Sequence, residues 1–556
     1  MTNLAGATVV NASITPDLTT LNSVNGLVGI SAINVATTVK TLGLSGTASD
    51  DNDLTVTYKT GLAGTTDALT LNVNGNSAAT VADATKYAVV TANGAGAGEG
   101  FDLVTVNSNG TATRLDALVV GDGTNSTMKT LTITGGANFR VNTALDFLGT
   151  TGTLDASAAT GAVNVAFGAE DITVTGGAGN DRFNFGATLD AADKVNGGAG
   201  TDTLAISSTI DSTTTALNKV INAVTGMDVL EVTQANAAVD ASQITFTKAF
   251  AATGGGTTAF TNTVNDNTFA FSANAGATTF APTIDGGNDV LNLTVGGASA
   301  VTLTSVAASA GGFETINVAS TSSTGAANEI TTTNVSANGK IVVTGAANFT
   351  TTAAGTNATI DGSAATGKLT LTGEAGNNTI IGGSADDVLT GGDGIDTIDL
   401  SKGGQDRVVI AATAAANRDV VKGFTAGTGG DILDINMTLG TAALASVTGT
   451  GTAFTITATN AITAFNFAAT NNSADLGKVG VVDGTELLKG IANAGSTITS
   501  LTVTAADTGY LLAYSGTNAY LYYYSSADAS LVASEIALVG VVEGVATGSL
   551  VAGNFV

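Results

Sequence analysis

A nine-residue pattern governs what this chain can fold into: Gly-Gly-x-Gly-x-Asp-x-U-x, where U is a large apolar residue. Gly176-Gly177-Ala178-Gly179-Asn180-Asp181-Arg182-Phe183-Asn184 fits it at every fixed position, and Gly197-Gly198-Ala199-Gly200-Thr201-Asp202-Thr203-Leu204-Ala205 fits it again. Three more copies run in tandem over 373–381, 382–390 and 391–399. The last of these is complete, with Gly392, Gly394, Asp396 and Ile398 in place. The middle copy keeps Gly383 and Asp387 but carries Ala385 at the fourth position, and the first has Glu374 and Asn378 where Gly and Asp are expected. A shortened copy, Gly403-Gly404-Gln405-Asp406, follows. Each copy has room for one tight turn and one short strand, and repeated units of this kind bury their apolar faces by stacking.

The chemistry of such a turn points to calcium. Glycines let the backbone turn several carbonyls inward, the Asp adds a carboxylate, and the apolar residue faces the core. Ca²⁺ takes six to eight hard oxygen ligands, which two successive turns can provide together. The candidate side-chain ligands are Asp181, Asp202, Asn378, Asp387, Asp393, Asp396 and Asp406. The turn glycines that go with them are Gly177, Gly179, Gly198, Gly200, Gly383, Gly392 and Gly394. Without the ion, like charges face one another. The segment is therefore expected to be disordered without calcium and folded with it.

A second, longer repeat surrounds the nonapeptides. Gly100-Phe101-Asp102-Leu103-Val104, Gly226-Met227-Asp228-Val229-Leu230 and Gly312-Phe313-Glu314-Thr315-Ile316 each place an acid between a large apolar residue and an alternating strand. Each is preceded by an Asp before its own alternating run, at Asp67, Asp202 and Asp289. Asp155-Ala156-Ser157-Ala158-Ala159-Thr160-Gly161 returns as Asp361-Gly362-Ser363-Ala364-Ala365-Thr366-Gly367. The expected fold is all-β: calcium-bound parallel β-roll or β-solenoid segments combined with β-sandwich-like repeats. The expected organisation is an N-terminal β segment over 1–60 that serves anchoring or assembly and a first unit with nonapeptides over 61–225. A partial second unit (226–310), a third unit with the tandem copies (311–440) and a C-terminal β domain (441–556) follow.

Composition narrows function by what it lacks. His, Cys and Trp are absent and the net charge is −27. Triads, thiol nucleophiles and His-based zinc sites therefore have no residues to build them. On that ground the chain is expected not to be an enzyme; a secreted polysaccharide-active enzyme that uses carboxylates alone is the weakest of three readings. The acidity disfavours nucleic acid and anionic membrane surfaces. No stretch reaches the apolar length of a membrane span. Asp50-Asp51-Asn52-Asp53 reads as a solvated loop, with another calcium site as the less favoured alternative. Six of the eight Tyr fall between Tyr510 and Tyr524, where core packing is the favoured reading over an interface.

The nonapeptides resemble the RTX family of secreted, calcium-binding bacterial proteins. So does the following stretch, Arg418-Asp419-Val420-Val421-Lys422-Gly423-Phe424 and Gly430-Asp431-Ile432-Leu433-Asp434. The triplicated signposts and the Thr- and Ala-rich composition resemble RTX-type surface-layer proteins of Gram-negative bacteria. That resemblance implies calcium as cofactor, type I secretion through an uncleaved C-terminal export signal, and an extracellular place at the cell surface. It implies self-assembly into a lattice, with cell-surface polysaccharide as an attachment partner. The alternative is an extracellular adhesin or biofilm-matrix filament, with the run 8–14 or the Tyr-rich strand as a donated strand.

Overall fold

Alternation of apolar and polar residues at period two dictates strands with one buried face, and the strands here are short and separated by Gly, Asn and Asp. The computed structural model describes residues 54–74, 88–283, 286–297, 299–308, 312–321, 327–411, 414–435, 481–492, 500–503 and 507–556, with short pieces at 4–5, 24–25, 30–35, 37, 40–45, 444–448, 456, 462–466 and 475–476. The cluster 50–53 and the run 8–14 lie outside the described residues. The chain divides into two units, Met1–Gly254 and Gly255–Val556. Both are dominated by a parallel β-solenoid.

In the first unit the chain passes between stacked parallel sheets, one of them the four-stranded sheet of Ile30–Val35, Leu54–Tyr58, Val89–Asn93 and Ala117–Gly121. A second stacks Thr41–Ser45, Ala68–Asn74, Leu103–Ser108, Thr130–Gly135, Thr151–Ala159, Asp171–Thr175 and Lys194–Asn196 in chain order. A third stacks Phe139–Leu145, Val163–Phe167, Arg182–Gly186, Thr203–Ile206, Val229–Val232 and Ala249–Ala252. Inward residues meet between these last two: Leu131, Ile133, Leu154, Ile172 and Val174 from the second sheet, and Val163, Val165, Phe183 and Phe185 from the third, are all buried.

The second unit repeats the arrangement. Thr258–Thr263, Ala275–Pro282, Thr302–Ala308, Asn328–Thr333, Phe349–Ala353, Leu369–Gly373, Val388–Thr390, Arg407–Val409 and Ile432–Asp434 form one parallel sheet. Thr268–Phe271, Val290–Val295, Thr315–Ser320, Lys340–Gly345, Thr359–Ala365, Thr379–Ile381, Thr397–Asp399 and Asp419–Lys422 form the other. Strands shorten from six residues at Thr315–Ser320 to three at Thr379–Ile381, where the nonapeptides begin, because nine residues must then hold both turn and strand.

The signposts are successive rungs of these stacks. Leu103–Ser108 lies in register on Ala68–Asn74, Val229 on Thr203, and Thr315 on Val290. The spacing between paired signposts is thus the length of one coil. Two helices of seven residues, Thr215–Ile221 and Thr485–Ile491, occur among the described residues. The hairpin Thr508–Ser515 and Asn518–Ser525 pairs antiparallel with Ile536–Val542, and Tyr510, Tyr514, Tyr520, Tyr522 and Tyr524 are buried in or beside it. Among the described residues no helix is long and apolar enough to cross a membrane.

Candidate metal centre

Each nonapeptide Asp sits at the end of a turn and at the foot of a buried strand, so its short side chain folds back into the turn. There it meets the next coil. One carboxylate oxygen of an acid accepts the backbone N–H of the equivalent residue one coil earlier. Asp181 donates to Asp202 at 2.8 Å, Asn378 to Asp396 at 2.7 Å and Asp387 to Asp406 at 2.9 Å. The coil lengths are 21, 18 and 19 residues, so the tandem copies supply two turns per coil.

The ladder runs on beyond the repeats. Asp202 donates to Asp228, Asp396 to Asp419 and Asp406 to Asp431. Asp228, Asp419 and Asp431 are members that the nonapeptide pattern does not single out. Their signal in the sequence was an Asp ahead of an alternating apolar run, the same signal as in the signposts.

The second oxygen divides the acids into two kinds. In Asp181, Asp387 and Asp431 it is satisfied by the turn itself, accepting from Gly177 at 2.7 Å, Gly383 at 2.6 Å and Thr425 at 2.6 Å. In Asp202, Asp396 and Asp406 it is buried with no hydrogen-bond partner. A buried carboxylate oxygen without a donor is costly unless a cation meets it. The glycines before them are required for the oxygens to sit there: a Cβ on Gly197 or Gly391 would collide with the orphaned oxygen of Asp202 or Asp396.

Backbone conformation fits as well. Gly198 and Gly200 have φ of +98° and +126°, and Gly392 and Gly394 have +103° and +124°. A side chain at any of these four would be strained and would collide with a carbonyl of the preceding coil, the Gly177, Gly179, Glu374 or Gly376 oxygen. Oxygens of two coils therefore converge at each turn, which is the ligand type that a hard divalent cation takes. Among the described residues no three acidic side chains gather as a potential metal cluster, so most ligands would be main-chain carbonyls.

The remaining candidates are placed as follows. Gly179 packs against Gly161 and Ala162 of the preceding coil. Asp393 is exposed, and its carboxylate accepts from the Asn417 amide at 3.1 Å. Asn378 is buried; its Oδ1 accepts from Ala358 at 2.8 Å, and its amide nitrogen faces the Gly376 and Gly391 carbonyls at 3.2 and 3.4 Å. That nitrogen takes the place of a second carboxylate oxygen.

Electrostatics separates the open turns from ordinary surface acids. Burial, reinforced by the charges of Asp181 and Asp228, pushes Asp202 up to about 6. Burial and the charges of Asp387, Asp431 and Asp386 push Asp406 up to about 7. Burial and the adjacent Asp396 carboxylate push Asp419 up to about 8. Asp181, Asp387, Asp396 and Asp431 are also raised, chiefly by burial. Without a cation, burial and mutual repulsion both favour the protonated form of these groups.

Two family models match this region. Residues 370–398 match the RTX calcium-binding nonapeptide repeat. Residues 137–292 match the C-terminal region of the serralysin peptidases of family M10. No curated protein matches the chain. Over these residues the chain is similar to the RTX calcium-binding repeat and to the serralysin C-terminal region, and its described residues form a mostly all-β fold dominated by a parallel β-solenoid. The expectation that it is not an enzyme is corrected by the second match, because the serralysin group consists of proteolytic enzymes. Missing His and Cys speak against particular catalytic motifs, whereas kinship is carried by the coils. The exclusion of enzymes therefore does not stand.

Proposed function

We propose that this chain is exported by type I secretion and self-assembles, in a calcium-dependent way, into a bacterial surface layer. The observation that carries the calcium dependence is the set of three buried, unpartnered oxygens on Asp202, Asp396 and Asp406. In this reading those oxygens ligate calcium directly, together with the converging turn carbonyls. Asp181, Asp387, Asp393 and Asn378 shape the same turns, as do Gly177, Gly179, Gly198, Gly200, Gly383, Gly392 and Gly394. Extracellular sites of this ligand type bind in the range of about 0.1–1 mM, so the sites fill outside a cell and stay empty inside it. The lattice reading is supported by the repeated signpost units, the long stack of coils and the resemblance to surface-layer proteins. Residues 1–60 would serve attachment to cell-surface polysaccharide, and 441–556 would carry the export signal.

Electron microscopy of the purified chain tests the proposal. Ordered sheets in millimolar calcium that dissolve on chelation are the expected result. Fibres in place of sheets would favour the adhesin filament, and the absence of any ordered assembly with calcium would overturn self-assembly.

A further inference from the structure

Arginine is scarce in this chain, and three of its five arginines share one rank of one sheet. Arg114, Arg140 and Arg182 face outward from the strands Thr113–Leu115, Phe139–Leu145 and Arg182–Gly186, because Leu115, Phe139, Val141 and Phe183 take the buried face. Arg140 lies in register on Arg114 and on Asn164, and Asn164 on Arg182. Neighbouring strands are about 4.8 Å apart, so the rank is a line of about 14 Å across the stacked coils. Arg140 is exposed. Arg182 donates from Nε and Nη2 to the two Glu231 oxygens at 2.6 and 2.9 Å, which uses two of its five N–H donors. The Arg114 Nε donates to Asn142 Oδ1 at 2.8 Å, and the Asn142 amide donates to Asp116 at 2.6 Å. Asp116 and Glu231 thus offset part of the charge and hold two of the guanidinium groups in place, which lowers the ordering cost of binding.

The fold does not ask for these arginines. The second unit builds the same rungs: Asn348 accepts the Lys368 N–H as Asn138 accepts that of Ala162, and Asp387 accepts the Leu369 N–H as Asp181 accepts that of Val163. There Glu329, Thr350, Thr370 and Val388 stand in register, in place of Arg114, Arg140, Asn164 and Arg182. One acid and three neutral residues serve equivalent strands, so the positive charge of the first unit is surplus to folding. The face around it is polar as well. The large apolar side chains of these strands are buried, and Asn142, Ala166 and Asn184 lie outward beside the rank. Protein partners are held by aromatic or aliphatic anchors in pockets, and this face offers none. A hydrated polyanion needs only donors and positive charge in a line.

We propose that the rank Arg114–Arg140–Asn164–Arg182 binds an acidic polysaccharide, laid across the coils with its carboxylate, sulfate or phosphate groups on the guanidinium groups. Asn142 and Asn184 bond sugar hydroxyls beside it. The polymer is the class of partner named in the surface-layer reading, and the rank is a contact for it outside residues 1–60. The inference rests on that reading for where the polymer is met; the binding itself requires no lattice.

Binding of hyaluronate to the full chain in millimolar calcium tests this, with dextran sulfate as a second anionic polymer and dextran as the neutral one. Saturable binding of the anionic polymers that weakens with added salt, and no binding of dextran, is the expected result. Arg140→Gln should weaken it by about tenfold, and adding Arg114→Gln should weaken it further. Lys340→Gln removes the same charge from a side chain of the second unit that is 43% exposed, and should leave binding unchanged. Equal losses from Arg140→Gln and Lys340→Gln would overturn the rank in favour of diffuse charge. A parent chain that binds neither anionic polymer would overturn it outright. If Arg140→Gln prevents calcium-grown sheets while polymer binding is unchanged, the face meets a second copy of the chain and the proposal fails. Polymer binding that Arg140→Gln weakens, by a parent that forms no sheets, would sink the lattice reading and leave the rank standing.

Discussion

Two stretches of the molecule build the same acid ladder and finish it differently. In the first unit, Asp102 accepts the Asp67 N–H through one oxygen, at 3.2 Å, and its other oxygen meets the Lys129 ammonium at 2.6 Å. In the nonapeptides, Asp406 accepts the Asp387 N–H in the same way, and its other oxygen meets nothing. The Asp67-to-Asp102 coil is 35 residues long, against 18 and 19 for the coils of the tandem copies. A long coil has residues to spare for a lysine that reaches the acid of the coil before it. A coil made of two nine-residue turns has only glycines and backbone there. The protein therefore carries its own cation in one stretch and must borrow one in the other. The Asp102 coil and the nonapeptide coils are one architecture under two means of charge compensation.

Stripping calcium should break this comparison most visibly. If three open acids each hold an ion at about tenfold over its Kd, each contributes roughly 1.4 kcal/mol, and the set amounts to about a thousandfold in the folding equilibrium. Two of them, Asp396 and Asp406, lie within 373–434, so hydrogen exchange there should accelerate by about a hundredfold, whereas the coils over 103–175 should change little. Uniform acceleration along both stretches would mean that the lysine does not substitute for the ion.

Lys129→Gln tests the other half. It leaves the Asp102 carboxylate, 5% exposed, without its cation, while the lysine itself is 38% exposed and partly solvated. The loss should be modest, about 1–2 kcal/mol in a denaturant titration, and insensitive to added calcium. A loss that calcium repairs would show that the Asp102 turn also accepts the ion.

What the sequence made legible follows from this comparison. The turns with Asp181, Asp202, Asp387, Asp396 and Asp406 were readable because glycines and acids at fixed spacing have few other physical uses. The parallel solenoid was readable from the nine-residue period. The equivalence of signposts and nonapeptides was not, because it lies in the register: Asp67 and Asp102 are neighbours only when one coil is laid on another. Asp228, Asp419 and Asp431 escaped for the same reason, since none of them stands in a full nonapeptide. The division into open and closed acids depends on which backbone N–H each second oxygen finds, and Asp387 and Asp406 look alike in sequence. The hydrogen bonds between Asn554 and Gly427 join residues 127 apart in the chain, with no local signal.

The smallest expected effect concerns pH. In the folded chain without calcium, Asp202, Asp406 and Asp419 are raised to about 6, 7 and 8 from an ordinary value of 3.8. The folded state therefore binds protons that the unfolded chain releases. Their stabilisation is complete below the unfolded value and is lost as pH rises through roughly 6 to 8. Calcium-stripped protein should keep more order over 373–434 at pH 5 than at pH 8, as read by circular dichroism and hydrogen exchange. With calcium bound the ion takes the place of those protons, and the dependence should flatten. Asp406→Asn sharpens the point: it is neutral at every pH and keeps the oxygen that accepts the Asp387 N–H. The stripped variant should be more ordered than the parent at pH 8, yet need about tenfold more calcium to reach full order, since ligand charge sets affinity at such sites. If the stripped parent is equally disordered at both pH values, repulsion among the ladder acids is not what calcium relieves. The nonapeptide coils would then differ from the lysine-compensated coils by geometry alone.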